Sequence, residues 1–176
     1  PRHPQFFAEI GGVDLTQPMT AALFAPIEAA FNQHGVLLFR DQFVTGEQHV
    51  AFSEFFGPVF AATKYGWRDE QPRLRAEMAD ISNLDHAGKL LGPDDQRRHH
   101  GRANQLFLTD TTFKHLPSRC SLFSAFQIPS PCVYTDFSYM RSSYASLPSP
   151  RLRALYFLLV LSLLSPSLAF MCFSSF

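Results

Sequence analysis

Apolar positions along the first sixty residues change their period from one segment to the next, and each change marks an element. After Pro18 and Thr20, the residues Leu23, Ile27, Ala30 and Phe31 recur at the spacing of one helix face. That helix is predicted to stop near His34-Gly35, since glycine adopts the left-handed conformation that ends helices. Val36-Leu37-Leu38-Phe39-Arg40 then runs apolar without alternation, which predicts a strand buried on both faces. Thr45-Gly46-Glu47-Gln48 is a capping box, in which the threonine oxygen and the glutamine side chain each satisfy a free backbone N–H. It opens a second helix carrying Val50, Phe52, Phe55 and Phe56, and Gly57-Pro58 ends it because proline cannot continue the ladder. Upstream, Gly11-Gly12-Val13-Asp14-Leu15 reads as a turn into a short strand.

Periodicity fades in the middle. Residues 66 to 103 are polar and rich in glycine, proline and charge, which predicts long loops with one strand near Ile81 to Leu84. Leu106 to Leu108 and Ser121 to Ile128 are strand-like, joined through Lys114-His115-Leu116-Pro117. The last segment differs from all of these: Ala154 to Phe176 has no charged residue and 17 of its 23 positions are apolar. On length alone it could span a bilayer, which needs about 20 such residues. Arg151 and Arg153 precede it, as a tail anchor requires, but Pro166 and five serines interrupt it, and no amphipathic stripe marks it as a buried helix.

Composition narrows the function classes. With 176 residues and 46% apolar content, the chain suits one domain with a core. Lysine plus arginine equals aspartate plus glutamate at 15 each, so no overall field draws it to nucleic acid or an acidic membrane. The run Arg97-Arg98-His99-His100-Gly101-Arg102 lacks interleaved aromatics and reads as a solvated loop. Three cysteines, Cys120, Cys132 and Cys172, show no paired spacing and point to a reducing, cytoplasmic setting. The nineteen phenylalanines, Phe52, Phe55 and Phe56 among them, read as core, while Tyr65 and Trp67 follow Gly57-Pro58 on a loop where aromatics can line a pocket.

Several stretches, in order, carry a resemblance to a known family. They are Ala8 to Leu15, His34-Gly35-Val36-Leu37-Leu38-Phe39-Arg40-Asp41-Gln42, Ala51-Phe52 through Phe56-Gly57-Pro58, Asn83-Leu84-Asp85, Leu106 to Phe113, and Pro117 to Leu122. Together they resemble the iron- and 2-oxoglutarate-dependent dioxygenases of the TauD/TfdA type over about residues 5 to 148. The resemblance implies an α+β fold: a double-stranded β-helix, or jelly roll of the clavaminate-synthase-like kind, with flanking helices and incomplete at the C-terminus. It also implies hydroxylation of a small carboxylate or sulfonate as 2-oxoglutarate is decarboxylated to succinate at Fe(II).

By the same resemblance, Asp110 is the carboxylate ligand of the metal. The segment Phe107 to Phe113 reads Trp-His-Thr-Asp-Ser-Ser-Phe in the family, so Leu108 stands where the first histidine ligand belongs. A histidine two residues before the carboxylate would share its face of a strand, and a further histidine would complete the iron triad. Thr135, twenty-seven residues after Leu108, matches the threonine that hydrogen-bonds the cosubstrate, although Pro131-Cys132-Val133-Tyr134 replaces the family's Glu-Gly-Gly-Asp before it. The chain has no histidine after His115, and His99, His100 and His115 read as exposed loop residues. Without the resemblance, Asp110 beside Thr111 and Thr112 would read as a turn cap.

The expected organisation is therefore residues 1–148 as the N-terminal part of a dioxygenase domain and 149–176 as a non-homologous apolar tail. The start at Pro1 reads as a fragment or a processed product, and the abrupt change near Pro148 as a translated intron, a frameshift or a misplaced gene end. A membrane-tethered, non-catalytic binding module is the alternative, with membrane contact only if the tail is genuine. The expected function is that of a fragment or degenerate dioxygenase, itself inactive and poorly soluble where late strands are missing.

Overall fold

A computed structural model describes residues 3–60, 73–96, 98, 106–107, 109–112, 114–127 and 135–164, with side chains up to 156. The chain divides into two units, Pro1–Asp136 and Phe137–Phe176.

The first unit is built on a β-α-β arrangement. Strand β1 (Ala8–Ile10) leads to helix α1 (Ala21–His34) and then to strand β2 (Leu37–Phe39), followed by helix α2 (Gly46–Glu54). The two strands are parallel, with Ala8 opposite Leu37, Glu9 opposite Leu38 and Ile10 opposite Phe39. Helix α1 starts where the sequence predicts: the Thr20 hydroxyl accepts from the Leu23 N–H, and Gly35 at φ 73° closes the other end by donating to the Phe31 carbonyl. Pro26 lies inside α1 and removes one ladder donor, so caps and packing hold this helix more than its ladder alone would. Both halves of the Thr45–Gln48 capping box form, at 3.3 and 2.8 Å.

Packing selects the buried face of α1 differently from the sequence pattern. Leu23 is exposed at 57%, whereas Phe24 and Ile27 are buried and Phe31 packs edge-on against Phe56. The row is thus 24, 27, 31, one residue out of step with the predicted start. Phe24, Ile27 and Phe52 form the core cluster, with Leu37, Phe39, Phe55, Phe56 and Leu122 against it. Edge-to-face ring pairs give this core its geometry: Phe24 and Phe56 centroids are 4.8 Å apart at 89°, and Phe52 and Phe56 are 5.7 Å apart at 90°.

Four strand predictions are corrected. The strand near the Gly11-Gly12 turn lies before it, at Ala8–Ile10. Residues 13 to 16 instead give their backbone groups to side chains: Leu15 N–H donates to Gln42 Oε1 at 2.8 Å, Gln42 Nε2 donates to the Val13 carbonyl at 3.1 Å, and Gln48 Nε2 donates to the Thr16 carbonyl. Second, β2 is half-buried at all three positions and not covered on both faces. Third, Ile81 to Leu84 reduces to a single antiparallel bridge, Leu84 to Leu90. Asp85 stops the ladder there, since its Oδ1 accepts from the N–H groups of both Ala87 and Lys89 and turns the chain. Fourth, residues 106–107 and 121–127 form no strand; Leu108 and Ile128 lie outside the described residues.

The second unit contains α3 (Met140–Ala145) and α4 (Ser149–Leu164). The Tyr144 and Tyr156 hydroxyls meet at 2.8 Å between them. Helix α4 has 16 residues. That is about 24 Å, short of the ~30 Å hydrocarbon thickness. Among the described residues, no helix is long and apolar enough to cross a membrane. Residues 165–176 of the predicted tail lie outside the described residues.

Candidate metal-site segment

Asp110 lies at the start of a turn, exposed to solvent. It makes no hydrogen bond among the described residues, so it does not cap the turn. Thr111 takes that role: its Oγ1 accepts from the Ser118 N–H at 2.8 Å, and its carbonyl accepts from the Lys114 N–H at 3.0 Å. The Thr109 and Thr112 hydroxyls lie 2.9 Å apart alongside. Thr111 sits at φ 55°, a left-handed conformation that costs a β-branched residue of order 1–3 kcal/mol. The two bonds to Ser118 and Lys114 hold it there, and no pattern in the sequence announces this.

The other predicted site residues are not gathered around Asp110. His115 is exposed on the next turn. Thr135 is exposed too, and the four residues before it, like Leu108, His99, His100, Tyr65 and Trp67, lie outside the described residues. Asp85 of the Asn83-Leu84-Asp85 motif is engaged by backbone N–H groups, chiefly that of Lys89, which holds its carboxyl below the usual range. Among the described residues, no group of three or more histidine, cysteine, aspartate or glutamate side chains is placed to hold a metal ion. Cys120 is half-buried, and burial pushes its thiol up, with Arg119 acting weakly the other way. It is not an activated nucleophile.

Sequence reasoning passed over His49. This α2 side chain is half-buried, its Nδ1 lies 3.1 Å from the Ser124 Oγ, and desolvation lowers its pKa below the usual imidazole value. It joins α2 to the chain 75 residues later. The only hint available was its place on a predicted helix three residues before Phe52. Beside α2 opens a cleft of about 330 Å³ lined by Leu15, Met19, Gln48, Ala51, Phe52 and Phe55 among others. No charged side chain lines it, so it offers no acid, base or metal ligand.

Comparison with known proteins places the chain. The family described as "Taurine catabolism dioxygenase TauD, TfdA family" matches residues 1–156. The chain belongs to the TauD/TfdA family. It is 34% identical over 149 residues to an alpha-ketoglutarate-dependent 2,4-dichlorophenoxyacetate dioxygenase of Cupriavidus pinatubonensis, covering 84% of this chain and 52% of that protein. A dioxygenase of the same name from a Burkholderia strain is 32% identical, covering 83% of this chain and 49% of the relative. An (S)-phenoxypropionate/alpha-ketoglutarate dioxygenase of Sphingobium herbicidovorans is 30% identical, covering 84% and 46%. The TauD/TfdA chain thus spans about half the length of the curated relatives it matches. Among solved structures, AAD-2 in complex with Mn(II) and N-oxalylglycine aligns with a TM-score of 0.60 at 32% identity, over 65% of this chain and 40% of that one.

N-oxalylglycine is an analogue of 2-oxoglutarate, so the family's cofactors are a divalent metal, Fe(II), and 2-oxoglutarate. The described residues of this TauD/TfdA chain do not fit that metal. A leucine, which cannot ligate, occupies position 108, and among the described residues Asp110 stands without another ligating side chain grouped beside it.

Proposed function

We propose that residues 1–148 are the N-terminal part of a jelly-roll dioxygenase domain of the Fe(II)- and 2-oxoglutarate-dependent type. The domain's substrates are small carboxylates or sulfonates, in keeping with the phenoxy acids named for the relatives. Within it, Asp110 is the retained metal-ligand position and Thr135 the hydroxyl that meets a 2-oxoglutarate carboxylate. These 176 residues do not hold a catalytic iron by themselves.

The observation that carries this reading is a leucine at position 108, two residues before an exposed Asp110 that among the described residues has no group of ligating side chains around it. A single monodentate carboxylate does not retain Fe(II) against water, and the family chemistry needs three protein ligands with open positions left for cosubstrate and O₂. Metal analysis tests it. The purified chain and Leu108→His are each loaded anaerobically with Fe(II), desalted and assayed for iron and for succinate formed from 2-oxoglutarate. Both are expected to keep well under one equivalent of iron and to release no iron-dependent succinate. Stoichiometric iron in the unmodified chain overturns the proposal. Stoichiometric iron in Leu108→His alone overturns its wider claim, because Leu108 would then be the sole defect.

A further inference from the structure

Charge is divided unevenly between the two units. Residues 137–176 contain Arg141, Arg151 and Arg153 and no other charged side chain, so the second unit is cationic although the chain as a whole is neutral. Arg141 lies against the Tyr139 ring, 5.8 Å from its centroid, a contact that leaves its charge intact. The other two arginines stand near the start of α4, and residues 154–164 complete that helix without a charge. Charge is therefore segregated along the helix axis and not around it. At 1.5 Å per residue the uncharged end is about 16 Å long, close to the ~15 Å of hydrocarbon in one leaflet of a bilayer. Around the arginine end, Phe137, Met140, Tyr144, Leu155 and Tyr156 are all exposed. Tyr144 and Tyr156, whose hydroxyls meet at 2.8 Å, present the amphipathic rings that favour the boundary between hydrocarbon and headgroups. The family match reaches only residue 156, so the uncharged end of α4 lies almost wholly beyond it.

We propose that the second unit docks on an anionic bilayer surface, with Arg141, Arg151 and Arg153 at the headgroups and the uncharged end of α4 entering one leaflet. Charge complementarity selects this occupant. A second copy of the unit brings the same three positive charges and is repelled, and nucleic acid would meet the arginines but offer nothing to the uncharged helix end. An anionic leaflet answers both, with each arginine near it worth about fivefold in partition. Long arginine side chains keep their heads in water while their stems follow the apolar surface, so the three charges do not oppose insertion of what lies beyond them. Among the described residues no helix is long enough to cross, and the attachment is to one face only. The inference goes beyond the dioxygenase reading and does not depend on iron.

Vesicle flotation of the whole chain tests it, with vesicles of phosphatidylcholine alone and of equal parts phosphatidylcholine and phosphatidylserine. The chain is expected to float with the mixed vesicles, to bind phosphatidylcholine alone at least tenfold more weakly, and to lose affinity as salt is added. Replacing the arginines together, as Arg141→Gln, Arg151→Gln and Arg153→Gln, is expected to weaken binding to the mixed vesicles at least tenfold with the far-ultraviolet circular dichroism unchanged. Insertion is read from Leu155→Trp in a Trp67→Phe background: its emission is expected to shift to the blue on the mixed vesicles and to be quenched by bromine placed in the acyl chains. Equal binding to both vesicle types, or binding indifferent to salt, overturns the anionic surface as the occupant, and the unmodified chain reports this whether or not a variant folds. Binding without quenching overturns insertion into the leaflet. Blue-shifted emission in the absence of vesicles shows the face already covered by protein and overturns the proposal.

Discussion

Residues 8–56 and residues 106–127 of the same unit meet opposite fates. In the first region, short-range rules satisfy the backbone: Thr20 and Gly35 cap α1, Thr45 and Gln48 cap α2, and Gln42 closes the loop groups that strands leave over. Its phenylalanines then meet one another between α1, β2 and the end of α2. In the second region the apolar content is comparable, but Phe107, Leu116, Phe123 and Phe126 remain exposed. The difference is one of partners. A helix satisfies its own backbone, whereas a strand is stable only beside another strand.

The largest expected effect tests whether 8–56 is the sole cohesive core. Phe52→Ala, at the centre of three ring contacts, is expected to lose about 3 kcal/mol in urea unfolding followed by circular dichroism. An effect under about 1 kcal/mol would place the stabilising core elsewhere. Next, Thr45→Ala removes one side of the capping box and is expected to cost about 1 kcal/mol by the same measurement.

A pH series probes the link between the regions. His49 has a folded pKa below its unfolded value because burial disfavours the imidazolium. The unfolded chain therefore binds the extra proton first, so stability is full above the usual imidazole value and declines as pH falls below it. His49→Gln is expected to flatten that decline, and a slope unchanged by the substitution would remove His49 as its source. Smaller still is Arg119→Ala: the Arg119–Glu28 pair is short at 2.7 Å, but both side chains are more than a third exposed. The expected loss is about 0.5 kcal/mol or less, fading in high salt. Phe123→Ala closes the series with a change near zero in the isolated chain, although its side chain is the same as that of Phe52.

The helices were legible because their signals are local. Thr20, Gly35 and the Thr45–Gln48 pair act within four residues, and the structure uses each as read. Strands 13–15, 81–84 and 121–128 were misread because apolar alternation records only a capacity to pair. Gln42 took backbone groups of the first by hydrogen bonds that no spacing reveals, Asp85 turned the chain after the second by accepting from Ala87 and Lys89, and among the described residues the third has no strand beside it. Leu23 was assigned to the buried face for a related reason: a helix pattern fixes the stripe to within one residue, and ring packing between Phe24 and Phe56 chose the row.

What the sequence determined by itself is the family and the capped helices, since each depends on residue identity at a position or within a turn. Tertiary structure alone decided that Thr111 and not Asp110 holds the turn, that His49 reaches Ser124, and that 121–127 lies seated on one side and open on the other. Those outcomes depend on which groups come into contact across tens of residues. Chain patterning does not encode that distance, and only packing resolves it.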